Sequence, residues 1–168
     1  MPDVRLADGN LAVAKRLATT TRPTQSELRR SISSSYYAVF HALARTCANA
    51  LVGRTPRSRP NKAWVEVYRG LNHGICQKSC EQASKVNFPD CIKEFADSFR
   101  QLQAARHRAD YDPNCRFGKT DAETWYQIAK LSIESLRSAN NYDKRAFAAW
   151  VLISSQGAKH SRRENLQG

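Results

Sequence analysis

Apolar residues recur every three to four positions over most of the chain and nowhere alternate with polar ones as in a half-buried strand, so the pattern predicts an all-α protein. The clearest stripe is Leu28, Ile32, Tyr36, Val39, Phe40 and Leu43. Thr24 and Glu27 precede it at the spacing of a capping box, in which each side chain accepts a hydrogen bond from an otherwise unpaired amide at a helix start. A long helix is therefore expected from there to about residue 52, before Gly53. Upstream, Leu6, Val13, Leu17 and the alanines among them predict an amphipathic helix over about 4–19.

Downstream, a shorter helix is expected over about 62–80. Another starts near Asn87 to Pro89 and runs to about Asp110, with Phe95, Phe99, Leu102 and Ala109 on one face. Thr120 and Glu123 repeat the capping-box spacing and lead into a helix carrying Trp125, Ile128, Ala129, Ser132, Ile133 and Leu136 on a shared face. Asn140 and Asn141 interrupt it, and Tyr142, Ala146, Phe147, Trp150 and Val151 extend the helical pattern to about 154. All six prolines fall between these segments or at their edges, where they break nothing. The expected organisation is one helical domain over 1–155 and a disordered polar tail over 156–168.

Composition narrows the partners. Lys and Arg number 27 against 15 Asp and Glu, a formal charge of +12, which favours polyanions and nucleic acid first among them. The stretch GRTPRSRPNK at 53–62 concentrates this charge in a predicted exposed loop, where Arg54, Arg57, Arg59 and Lys62 could hold an RNA backbone or stand solvated. No apolar run approaches the roughly 18 residues that span a bilayer, and the start MPDVRLADGN lacks the features of a secretory signal, so the expected address is the cytoplasm, away from membranes. The five cysteines, an odd number, read as reduced thiols. A glycine-rich phosphate loop and a dinucleotide fingerprint are both absent, so no cofactor is expected.

Two further groupings bear on chemistry. His73, Cys76 and Cys80 share a helix face and could supply three ligands to zinc, but the spacing suits buried thiols better than it suits the paired C-x-x-C knuckles of structural zinc, so no metal is expected. Tyr36 and Phe40 lie on the apolar stripe and read as core. Tyr37 and His41, one turn apart on the adjoining face, could line a cleft and stack on bases.

The segments RRSISSSYYAVFHALA at 29–44 and FRQLQAARHRADYDP at 99–113 resemble HEPN-domain proteins. The Tyr36-Tyr37-x-x-Phe40-His41-Ala42-Leu43 and Arg106-His107-Arg108-Ala109-Asp110-Tyr111 runs are similar to the branch with an R-x-x-A-D-Y signature, and the likeness covers roughly residues 5–137 in helix order. The resemblance implies an up-and-down bundle of four or five helices, frequent homodimers and, in active members, metal-independent endoribonuclease chemistry. It also implies a toxin-like role, with a small nucleotidyltransferase as neutralising antitoxin.

The family's catalytic motif is an arginine, four to six residues, then a histidine. Counted from Arg100, six residues intervene before His107; counted from Arg106, the corresponding place holds Tyr111, a poor general base at neutral pH. Arg106 lies near the centre of an apolar stripe with Asp110 one turn on, so the two form either an internal brace or part of the site. Arg100 and His107 stand about 10 Å apart along one helix, and a two-fold axis could bring Arg100 of one subunit to His107 of the other. In the active reading His107 moves the proton of a ribose 2′-OH and an arginine holds the charge developing on phosphate. In the alternative, the chain is a catalytically silent HEPN module that binds RNA, a nucleotide or a protein partner.

Overall fold

A computed structural model describes residues 5–153, and they form an all-α bundle. Seven helices occur among the described residues: α1 (Leu6–Ala18), α2 (Gln25–Val52), α3 (Asn61–Gly70), α4 (His73–Ala83), α5 (Asp90–Tyr111), α6 (Lys119–Ser138) and α7 (Asn141–Leu152). The 28-residue α2, about 42 Å long, is the mast against which α1, α3, α5, α6 and α7 pack. Five long helices, α1, α2, α5, α6 and α7, make the bundle, while α3 and α4 form an excursion that returns α4 onto α5. None of these helices is long and apolar enough to cross a membrane.

The sequence signals account for most of this. Thr24 caps α2 as expected, its hydroxyl accepting from the Glu27 amide while Glu27 Oε2 accepts from the Thr24 amide at 2.7 Å. Gly53, at φ +118°, ends the same helix in a conformation closed to side chains with a Cβ. The helix expected over 62–80 is instead two. Gly70 ends α3, and Asn72 accepts from the amides of Gly74 and Ile75 to start α4, an N-cap that the apolar periodicity across the junction hides. Helix α6 begins one residue earlier than Thr120, at Lys119, and its cap is Asp121, which accepts from the Gly118 amide at 2.7 Å. The tail expected at 156–168 lies outside the described residues.

Tyr36, Leu43, Ile92, Phe95, Phe99, Leu102, Ile133, Leu136 and Phe147 are fully buried where α2, α5, α6 and α7 meet. On α1 the buried positions are the alanines 7, 14 and 18, while Leu6, Val13 and Leu17 stay half-buried. Small residues there, facing the buried Ser31, Ser34 and Ser35 of α2, let the two backbones approach closely. The Ser31 hydroxyl donates to the Ala14 carbonyl at 2.8 Å and so satisfies its own burial.

Candidate functional site

Arg106 is the centre of the best-defined polar cluster. Its side chain is 18% exposed, and the guanidinium Nε lies 2.7 Å from Asp110 Oδ2, a charge-to-charge contact without an aligned N–H. Its Nη2 donates to the Tyr37 hydroxyl at 3.0 Å. The guanidinium carbon also sits 5.4–5.9 Å from the ring centres of Tyr36, Tyr37 and Tyr111, within the range of cation–π attraction. Burial alone would lower the Arg106 pKa, but Tyr37, Asp110 and Tyr111 more than offset it and the guanidinium is held charged. Ser33 of α2 donates to the other oxygen of Asp110, so α2 and α5 are tied at one place by hydroxyl, carboxylate, guanidinium and phenol together. The brace read from sequence is therefore present, and it lies inside the cluster that would form a site.

The other sequence-predicted residues divide around it. Tyr111 is 62% exposed and borders Arg106 from the solvent side, and the His107 ring lies 5.0 Å from that of Tyr111. Arg100 lies apart, half-exposed and 3.7 Å from Asp97. Within the chain, the register that begins at Arg106 is the one whose residues come together.

His41 sits one turn beyond Tyr37, where its Nδ1 is 2.8 Å from the Tyr68 hydroxyl and its ring stacks on Tyr68 at 5.9 Å. Arg57 and Lys62 are exposed. Arg59, expected on an exposed loop, is turned inward and only 7% exposed. It lies 4.2 Å over the Trp64 ring and donates to Asn61 and to the Arg54 carbonyl, a tether that folds the basic loop back and withdraws this cation from any surface partner. Arg54 lines a separate cleft between α2, α6 and α7.

His73 has partners that the sequence did not reveal. Its ring stacks on Phe40 at 4.0 Å, and its Nδ1 is 2.6 Å from the Tyr36 hydroxyl. Burial pushes the Tyr36 phenol up, so it keeps its proton and donates it to Nδ1, which leaves the His73 proton on Nε2. Cys76 and Cys80 are buried in the same neighbourhood, and burial raises the Cys76 thiol to about 12. No three His, Cys, Asp or Glu side chains gather as a metal would require among the described residues. The rings form a continuous run, Tyr37, His73, Phe40, His41, Tyr68 and Trp64, that leads from Arg106 to Arg59.

His73 and His41 both have lowered pKa values, each through burial first and then the repulsion of a second basic group, the Arg106 guanidinium for His73 and the His73 ring, when protonated, for His41. A histidine whose folded pKa lies below its unfolded value of about 6.5 takes up its proton first in the unfolded chain. Stability from these groups is thus whole above about pH 6.5 and lost as pH falls toward the folded values. The melting temperature is expected to drop between about pH 7.5 and about pH 5, and to drop less in His73→Gln. An equal drop in that variant would show that other groups carry the acid sensitivity.

Arg29 supports the site from below. It donates to the carbonyls of Ala109 at 2.7 Å and Asp112 at 2.9 Å, and also to that of Cys115, closing the end of α5 and the turn after it onto α2. Compared with protein-family models, with curated proteins and with solved structures, the chain matches none, so its chemistry has to be read from its own side chains.

Proposed function

We propose that this chain is a HEPN-type RNA-binding protein, working as a homodimer, whose Arg106 centre cleaves RNA by a metal-independent route. The observation that carries the reading is the Arg106 guanidinium itself: charged, partly shielded from bulk water, and held by Tyr37 and Asp110. A rigid, planar guanidinium held in this way suits a phosphate oxygen. His107 is exposed and its ring neighbours Tyr111, which in turn borders Arg106, so in this reading His107 serves the same scissile phosphate, and the half-buried Tyr37 and His41 are the candidates to meet bases. In the reaction, His107 accepts the proton of a ribose 2′-OH as that oxygen attacks the adjacent phosphorus. Arg106 stabilises the charge gathering on the phosphate oxygens. The bond to the 5′-oxygen breaks, that oxygen takes a proton from water while His107 gives its own back to solvent, and the products carry a 2′,3′-cyclic phosphate and a 5′-hydroxyl. A small nucleotidyltransferase as neutralising partner follows from the resemblance of the two motifs to toxin-like members.

One observation favours the second reading, a catalytically silent module binding RNA, a nucleotide or a protein: Asp110 already neutralises Arg106. The two are separated by incubating the protein with labelled transfer and messenger RNA in EDTA. Cyclic-phosphate ends that form with the wild type and fall at least about a hundredfold in His107→Ala support the nuclease. Intact RNA across the panel removes it, and salt-sensitive retention of that RNA establishes the silent binder.

A further inference from the structure

On the side of α2 away from the Arg106 centre lies a cleft of about 580 Å³. At about 100° per residue, Ala42, Arg45, Thr46 and Asn49 project roughly opposite to Ser33, Tyr37 and Phe40, so the cleft and the centre share a helix but not a face. Five cations from three helices and a loop line it: Arg45 of α2, Arg54 just beyond its end, Arg137 of α6, and Lys144 and Arg145 of α7. Among the described residues, no carboxylate lines it. Asp8 of α1 meets Arg137 at 2.6 Å, and Lys144 donates to the Arg137 carbonyl at 2.7 Å, which fixes two of the cations in place. Lys144 is pulled below the usual lysine value by burial and then by Arg54, as expected where like charges are crowded. The remaining wall is small or uncharged, with Ala7, Ala42, Ala50 and Leu136, and leaves room for a ligand rather than for a packed side chain.

Like charges converging on a concave surface raise the local potential and favour a compact, multiply charged anion over a single carboxylate. We propose that this cleft binds the clustered phosphates of a small oligophosphate ligand, independently of the Arg106 centre. The volume suits a nucleotide-sized molecule, and the first turn of α7, with Asn141 in the wall, adds the positive end of a twelve-residue helix.

The test is calorimetric titration of the full chain, at constant ionic strength, with inorganic tripolyphosphate, with ATP and with a short single-stranded RNA lacking a terminal phosphate. Tripolyphosphate and ATP are expected to saturate one shared site. R54E/R145E, at two exposed positions, is expected to weaken both by at least about tenfold, whereas K78E/K85E, an equal charge change on α4 and just beyond its end, leaves them within about threefold. Tighter binding of ATP than of tripolyphosphate assigns the source as a nucleotide, and equal binding assigns a bare oligophosphate. Failure of both to saturate overturns the proposal. So does binding that persists in R54E/R145E but is lost in R106A, or binding by the RNA alone through Arg54 and Arg145. Should R54E/R145E fail to fold, R54Q and R145Q measured singly, each expected to lose about threefold, decide the same question.

Discussion

On the proposed nuclease reading, replacing Arg106 by alanine is expected to reduce RNA cleavage by at least about a hundredfold, the scale on which a preorganised donor to a developing oxyanion acts. The loss has a structural part. Asp110, 26% exposed and held by Ser33, would be left without its cation, and the Tyr37 hydroxyl without its donor. Because the pair is partly solvated, that cost is about 1–2 kcal/mol, well below the full penalty of breaking a buried pair. Arg106→Lys keeps the charge but cannot reach Asp110 and Tyr37 with one planar group, so it should retain the fold and most of the salt-dependent affinity while losing cleavage. Asp110→Asn is the sharper variant. If Arg106 anchors phosphate, relieving it of its carboxylate raises RNA affinity; if the cluster is only a brace between α2 and α5, Asp110→Asn leaves RNA affinity unchanged. Cleavage end-groups and the salt dependence of affinity read the difference, because the logarithmic slope falls by about one for each phosphate that a cation no longer holds.

Phe99→Ala is expected to be the most destabilising single truncation near the site. Phe99 is fully buried, meets Tyr36 edge-on at 5.6 Å and Phe95 at 6.2 Å, and lies where α2 and α5 cross. Truncating a buried phenylalanine costs about 3–5 kcal/mol, which in a protein of this size lowers the melting temperature by roughly 10 °C. Phe99→Leu, which conserves most of the volume, should cost about 1 kcal/mol. The effect reaches the site as well, since the Tyr36 ring that Phe99 supports carries the hydroxyl that holds His73. A melting temperature within a few degrees of wild type in Phe99→Ala would mean that the core around Tyr36 closes over the missing ring, and the His73 hydrogen bond would then be expected to survive.

Much of this was legible along the chain. The apolar stripe from Leu28 to Leu43 and that from Phe95 to Ala109 predict α2 and α5 because both depend only on a period of about 3.6 residues, a local property. The Thr24–Glu27 cap and the Arg106–Asp110 pair are legible for the same reason, each lying within one turn. The break at Asn72 was not, since a side-chain cap between two helices of similar period leaves the apolar pattern intact. The inward turn of Arg59 depends on Trp64 and Asn61 only once the loop has closed, so charge density alone read it as exposed. His73 meets Tyr36 across 37 residues and Ser33 meets Asp110 across 77, and the cationic cleft draws its walls from four helices and a loop. Local periodicity determined which residues face inward. Which inward faces meet was decided by the packing of whole helices against α2, because a helix presents the same stripe to any partner and only the summed burial of all of them selects one arrangement.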